Sequence, residues 1–88
     1  MRVVWTRRAV RDVAAHIDYI SQFNPVAANE IAAGLMAAAS NLALFPHRGR
    51  PGPGGTRDLT VVHPYVIVYE VGREVITVLR VWHGAQDR

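Results

Sequence analysis

The chain has 88 residues, of which 50% are hydrophobic and 19% charged, and it contains no cysteine. A chain of this length is expected to form one domain, residues 1–88, around a single core. The lack of cysteine excludes disulfides and thiolate metal sites and fits a reducing compartment. No segment has the length and hydrophobicity of a transmembrane helix, and the first twelve residues lack the apolar stretch of a signal peptide. The sequence therefore predicts a cytoplasmic protein that does not enter a membrane.

The positive charge is carried by arginine alone, and it is clustered. The formal net charge is +3, there is no lysine, and four arginines precede the first acidic residue, Asp12. No acid occurs between Ile31 and Arg57, a stretch that contains Arg48 and Arg50. The guanidinium group presents a rigid fork of donors that suits carboxylates and phosphates. The charge pattern thus favours an acidic protein segment or a nucleic acid as partner, although a GC-rich genome would also explain the number of arginines.

The first half of the chain predicts a strand followed by a helical hairpin. RVVW at residues 2–5 is β-branched and aromatic, as is typical of a strand. Thr6 is a suitable N-cap for a helix over about residues 7–21, and Asn24 with Pro25 suits the start of a second helix. The predicted apolar stripe of the first helix is Val10, Val13, Ile17 and Ile20, and that of the second is Ile31, Leu35, Ala38, Leu42 and Phe45.

The second half predicts three strands after a loop rich in glycine, proline and arginine, FPHRGRPGPGGTRDL at residues 45–59. The β-branched runs at 59–62, 65–71 and 75–81 indicate the strands, and Gly72-Arg73 suits a two-residue turn between the last two. That turn places Tyr65 opposite Arg80. The face expected to pack on the helices then carries Val66, Val68, Leu79 and Val81, and the open face carries Tyr65, Tyr69 and Arg80.

The order of these elements defines the expected fold class. We predict an α+β fold in which a two-helix hairpin packs on one face of a small antiparallel β-sheet, in the order β-α-α-β-β-β. The first strand is expected to join this sheet at a position that the sequence does not specify.

Several kinds of site are excluded by the residues present. No P-loop sequence occurs, and no glycine-rich turn joins a strand to a helix. The histidines lack a metal-ligand spacing with carboxylates, and His16 and His63 are typical of surface or turn positions. Ser21 and Ser40 have no nearby partner for nucleophilic catalysis. The few acidic residues do not form the pair that glycoside hydrolysis requires. We therefore expect neither a metal nor a cofactor.

A group of arginine, tyrosine and histidine residues in the C-terminal half remains as the candidate site. Arginines on adjacent strands could converge on one phosphate and stabilise the transition state of metal-free RNA cleavage, with His83 as general acid or base. The same residues have structural explanations, because tyrosine favours strands and a strand-end histidine is often hydrogen-bonded. The candidate residues for binding a target or a partner are Arg48, Arg50, Arg57, Tyr65, Tyr69, Arg80 and His83.

Four segments in this order, NPVAANEI, LFPHRGRPGPGGTRDL, PYVIVYEV and VLRVWHGAQDR, resemble the RelE/ParE superfamily of type II toxin–antitoxin toxins. The resemblance implies a cytoplasmic toxin that forms a hetero-oligomer with a cognate antitoxin. RelE-like members are ribosome-dependent mRNA endonucleases, and in that case Arg57, Arg80 and His83 would be the catalytic residues. ParE-like members inhibit DNA gyrase. The chain lacks the lysines of the RelE pattern and is more similar to ParE-like members. A degenerate toxin that retains only antitoxin binding is the third alternative.

Overall fold

The two helices begin at the side-chain caps that the sequence predicts. The computed structural model describes residues 1–84, so the AQDR end of the last resembling segment, and of the predicted domain 1–88, lies outside the described residues. The Thr6 side chain accepts a hydrogen bond from the backbone N–H three residues later and opens α1 (Arg7–Ser21). Asn24 does the same for α2 (Pro25–Asn41), which has proline at its first position. Both helices are thus fixed locally at their N-termini.

Five strands form one sheet in the order β1-β5-β4-β3-β2. Strand β1 pairs with β5 in parallel, whereas the other three pairings are antiparallel. The predicted α+β fold with helices against one sheet is therefore confirmed, with the difference that the sheet is mixed. A two-residue strand in the Gly/Pro-rich loop adds a fifth strand that was not predicted. The strands are β1 (Arg2–Trp5), β2 (Arg50–Pro51), β3 (Arg57–Leu59), β4 (Tyr65–Val71) and β5 (Val75–His83).

The register between β4 and β5 differs from the predicted one. The Gly72 N–H bonds to the Val75 carbonyl oxygen at 2.8 Å, so residues 73 and 74 form the turn instead of Gly72-Arg73. A bulge then shifts the pairing between Val68 and Tyr69, and Tyr65 lies opposite His83. The predicted pairing of Tyr65 with Arg80 was therefore wrong by three residues. The displaced turn shifts the pairing by two residues, and the bulge, which adds one residue to β5 only, shifts it by one more.

The face of the sheet that packs on the helices is also the reverse of the predicted one. The core carries the tyrosine face, and the bulge brings Val81 onto this face in place of Arg80. Val66 and Val68 lie on the opposite face, since side chains alternate along a strand. The core residues that the sheet contributes are Leu59, Tyr65, Ile67, Tyr69, Ile76, Val78 and Val81.

Tyr69 can enter the core because its hydroxyl group is fully hydrogen-bonded there. The side chain is 0% exposed; its hydroxyl donates to the Pro46 carbonyl oxygen and accepts from the Gly49 N–H, both at 2.8 Å. A Cβ on Gly49 would lie 2.8 Å from the Tyr69 ring and hydroxyl, so glycine permits this close approach. Arg57 adds bonds to the carbonyl oxygens of Gly49 at 2.7 Å and of His47 at 3.2 Å. Tyr69 of β4 and Arg57 of β3 therefore both hold the segment after α2 against the sheet.

The apolar stripe of α1 is covered only in part. Ala9 is fully buried, whereas Val10 remains 54% exposed. On α2 the predicted stripe is buried at Leu35, Ala38 and Leu42. Phe45 lies beyond the end of the helix and is 58% exposed, so its assignment to the stripe was wrong. Within residues 1–84, neither helix combines the length and apolarity needed to cross a membrane.

Candidate functional site

The arginines of the predicted site do not gather along one edge of the sheet. Arg57 lies opposite Tyr69, and directly paired residues place their side chains on the same face. Arg80 lies opposite Val68, on the other face. Strand β4 also separates β3 from β5. The predicted convergence of Arg57 and Arg80 on one phosphate was therefore wrong.

Arg80 is engaged with the first helix. Its Nε donates to Asp12 Oδ2 at 2.7 Å and its Nη2 to Asp12 Oδ1 at 3.2 Å. Its Cζ lies 3.9 Å from the centre of the Trp82 ring, within the range of a cation–π contact. Both side chains of the ion pair are largely buried. A bidentate, partly desolvated pair of this kind is a structural bond, and it occupies the Nε and Nη2 side of the guanidinium group.

Asp12 also fastens the backbone of β5. Its Oδ2 accepts the Val81 N–H at 2.9 Å, and the Val81 carbonyl oxygen accepts from His16 Nε2 at 2.8 Å. The Thr6 hydroxyl, at the N-cap of α1, donates to the Leu79 carbonyl oxygen at 2.9 Å. These side chains provide hydrogen-bond partners for the backbone of β5 beyond the point where β1 ends. His16 is thus a half-buried residue that is hydrogen-bonded at a strand edge, a role that the sequence did not predict.

These contacts lower the pKa of Asp12. Burial alone would raise it, but the hydrogen bonds from Arg80 and from the Val81 N–H, together with the positive charge of Arg80 and the neighbouring His16, hold it below its ordinary value. The folded state therefore favours the carboxylate.

The remaining predicted residues fall into two groups. Arg48 and Arg50 are exposed on either side of Gly49, in the segment that Tyr69 and Arg57 fasten. Tyr65 and His83 instead lie at the far end of the β4–β5 pair, where they meet His16 from α1. The Tyr65 ring centre is 4.9 Å from that of His16 and 5.4 Å from that of His83. Burial raises the pKa of the Tyr65 phenol, which therefore stays protonated at neutral pH.

Two concave surfaces flank α1. The apolar groove, of about 480 Å³, is lined only by apolar side chains from β1, α1 and α2; they are Trp5, Val10, Val13, Ala14, Ile17 and Met36. The aromatic cleft, of about 440 Å³, lies between α1 and the end of the β4–β5 pair and is lined by Ala15, His16, Tyr19, Tyr65 and His83. Sequence reasoning missed the groove, although the predicted stripe of α1 contains Val10, Val13 and Ile17.

No metal centre accompanies either surface. Among residues 1–84, no group of three or more histidine or acidic side chains is placed to hold a metal ion.

A family model described as the ParE toxin of the type II toxin-antitoxin system parDE matches residues 3–88. The chain belongs to the ParE toxin family. Toxin RelE2 of Caulobacter vibrioides is 46% identical over 85 residues, which are 97% of each chain. Toxin RelE1 of the same organism is 33% identical, over 92% of this chain and 90% of its own. A solved structure titled as the chromosomal ParDE TA system from P. aeruginosa superposes with a TM-score of 0.83 at 26% identity, over 94% of this chain and 95% of that one.

These similarities establish what the chain is at the level of the family. It is a toxin of a type II toxin–antitoxin module, and its partner is an antitoxin. The fold predicted from the resemblance is the fold of the ParDE toxin neighbour.

We expect Asp12→Asn to lower the free energy of unfolding by about 1–3 kcal/mol at pH 7, because the neutral amide weakens the bonds to Arg80 and Val81. The pKa of Asp12 is lower in the folded than in the unfolded chain. Its ionisation therefore stabilises the fold above about pH 4, and this contribution is lost as the pH falls through the folded pKa. Urea unfolding of both proteins at pH 7 and pH 3 should show the difference shrinking at pH 3.

Asp18→Asn, at an exposed position of the same helix, is the matched control and should leave the unfolding free energy nearly unchanged at both pH values. A stability difference for Asp12→Asn that is the same at pH 3 as at pH 7 would contradict the role given to the carboxylate.

Proposed function

We propose that this toxin acts in the cytoplasm as an inhibitor of DNA gyrase, by binding and not by cleaving RNA. The observation that carries the proposal is the engagement of the two arginines that a nuclease would need. Arg80 forms a bidentate pair with Asp12, and Arg57 donates to backbone carbonyl oxygens. Each guanidinium group therefore stabilises the fold, and each lies on a different face of the sheet.

The target-binding surface that we propose is the exposed segment after α2. Leu44 is 76% exposed and Phe45 58% exposed, and Arg48 and Arg50 are exposed a few residues later. Large apolar side chains beside arginines are typical of the residues that contribute most to protein–protein affinity. Because Tyr69 and Arg57 already fasten this segment, binding would cost little conformational entropy.

The double variant Leu44→Ser, Phe45→Ser should reduce gyrase inhibition at least tenfold, because it removes the apolar part of this surface without touching a core residue. The measurement is plasmid supercoiling by purified gyrase as a function of toxin concentration. Exchanging the exposed residues Val26 and Val61 for serine, both outside this segment, is the matched control and should preserve inhibition.

Normal supercoiling at saturating concentrations of the unaltered toxin would contradict the gyrase proposal itself. Gyrase inhibition that survives in the Leu44/Phe45 variant would contradict only the assignment of the surface. Expression of the toxin alone with no effect on growth would leave the degenerate toxin as the remaining alternative.

The antitoxin-binding surface that we propose is the apolar groove. The groove exposes the apolar stripe of α1, and Arg7 lies three residues before Val10 on the same side of the helix. Arg7 is exposed and forms no ion pair with any described residue. An amphipathic helix with acidic residues beside its apolar face would complement both features. We therefore propose an acidic, amphipathic segment of the antitoxin as the occupant.

Val10→Glu should weaken antitoxin binding at least tenfold, because it places a carboxylate in the apolar groove and opposite an acidic partner. Ala37→Glu, on the solvent-facing side of α2, is the control of equal charge and should have little effect. Calorimetric titration with the cognate antitoxin measures both. Equal losses of affinity in the two variants would indicate a general charge effect and would count against the groove.

A ribosome-dependent mRNA endonuclease is the second candidate, and the names RelE2 and RelE1 of the two Caulobacter relatives are the observation that favours it. In that case message would be cut at codon positions on translating ribosomes, and His83→Ala would abolish the cleavage. Intact message after induction of the toxin excludes this candidate.

A further inference from the structure

The aromatic cleft lies on the side of α1 opposite the apolar groove. His16 and Tyr19 line the cleft, whereas Val10, Ala14 and Ile17 line the groove. Helical spacing places these two sets on different faces of α1. The cleft is therefore a second concave surface, and an antitoxin helix in the groove does not account for it.

The walls of the cleft are planar rings. Tyr65 is flanked by His16, with ring centres 4.9 Å apart and planes at 55°, and by His83 at 5.4 Å and 83°. At the mouth, Tyr19 packs edge to face on Phe23 with ring centres 5.3 Å apart, and both rings are exposed. Exposed aromatic rings are the surfaces on which nucleobases stack.

The cleft also offers hydrogen-bonding groups. A carbonyl oxygen only accepts, so His16 Nε2 donates a proton in its bond to Val81, and Nδ1 of the same ring is a second hydrogen-bonding atom. The Tyr65 hydroxyl forms no hydrogen bond with any of the described residues, and it is a donor and an acceptor. A polar, planar ligand could therefore satisfy both groups.

Two arginines continue from the cleft along α1. Arg8, Arg11, Ala15 and Tyr19 are three or four residues apart and so lie along one side of the helix. At a rise of about 1.5 Å per residue, Arg11 is about 6 Å and Arg8 about 10 Å from Ala15 along the helix axis. Both arginines are exposed, and neither forms an ion pair with a described residue. Their guanidinium groups can bind phosphate.

We propose that the aromatic cleft binds a nucleobase, with the attached phosphate at Arg11 and a following phosphate at Arg8. The ligand is thus a nucleotide, either free or as part of a single strand of RNA or DNA. The cleft volume of about 440 Å³ falls within the usual range for sites of small molecules. The site does not depend on gyrase being the target.

An acidic peptide fits the same surface less well. It would satisfy Arg8 and Arg11 and could accept the proton of the Tyr65 hydroxyl, but it has no planar base to stack on the exposed Tyr19 ring. The combination of aromatic walls with a flanking line of arginines is what single-stranded nucleic acids bind.

The test uses the purified full-length toxin with adenosine monophosphate and with fluorescently labelled trinucleotides of RNA and DNA. Binding is measured by anisotropy, and its location by the shifts of the ring resonances of His16, Tyr65 and His83. Saturable binding of the mononucleotide identifies a free nucleotide as ligand. Binding of trinucleotides alone identifies a single strand, and the difference between RNA and DNA shows which one.

Variants on exposed positions locate the site without disturbing the fold. Tyr19→Ala should weaken binding about tenfold through loss of stacking. For a trinucleotide, Arg8→Gln and Arg11→Gln should each lower the slope of log affinity against log salt by about 0.7, the value for one phosphate contact on a single strand. Arg73→Gln, in the exposed turn at the other end of the β4–β5 pair, is the matched control and should leave the slope unchanged.

Three results would overturn the proposal. One is the absence of saturable binding of the mononucleotide and of both trinucleotides. Another is an equal loss of slope in Arg73→Gln and Arg11→Gln, which would indicate diffuse charge attraction. The third is a glutamate-rich peptide that shifts the His16, Tyr65 and His83 resonances when the nucleotides do not, which would assign the cleft to an acidic protein segment.

Discussion

Strand β5 lies inside the sheet, but for its last residues the neighbouring strand is missing on one side. Strand β1 ends at Trp5, opposite Val78, and polar backbone groups in a strand must find other partners or lose free energy. Helix α1 supplies those partners, since Thr6, Asp12 and His16 bond to the backbone of β5 at Leu79 and Val81. The position of α1 on the sheet, and with it the groove and the cleft on its two sides, depends on these bonds.

The need for hydrogen-bond partners also explains why the arginines of the chain differ in role. Arg80 balances the Asp12 charge that the edge of β5 requires, and Arg57 joins Tyr69 in fastening the segment after α2. Both guanidinium groups are therefore part of the hydrogen bonding that holds the fold together. By contrast, the arginines near the start of α1 and those beside Gly49 are exposed, and they give the molecule the positive surfaces that acidic partners would meet.

The sequence predicts those features that depend on near neighbours. Thr6 and Asn24 cap the helices as expected, and the β-branched runs form the long strands. The faces of the sheet were predicted wrongly because Tyr69 carries a polar hydroxyl group, which favours an open face. The carbonyl oxygen that accepts its proton in the core comes from a residue distant in sequence. The bulge at β5 then changed the face of Arg80. Asp12 and His16 are four residues apart on α1, yet the strand edge that they meet is distant in sequence.

Amide hydrogen exchange of Val81 tests the central claim most directly. Its N–H has a side-chain carboxylate as partner instead of a neighbouring strand. The account predicts that in the native toxin this amide exchanges as slowly as the amides paired between β4 and β5, and that Asp12→Ala selectively speeds its exchange. Exchange of the native Val81 amide at the rate of an unstructured peptide would contradict the account.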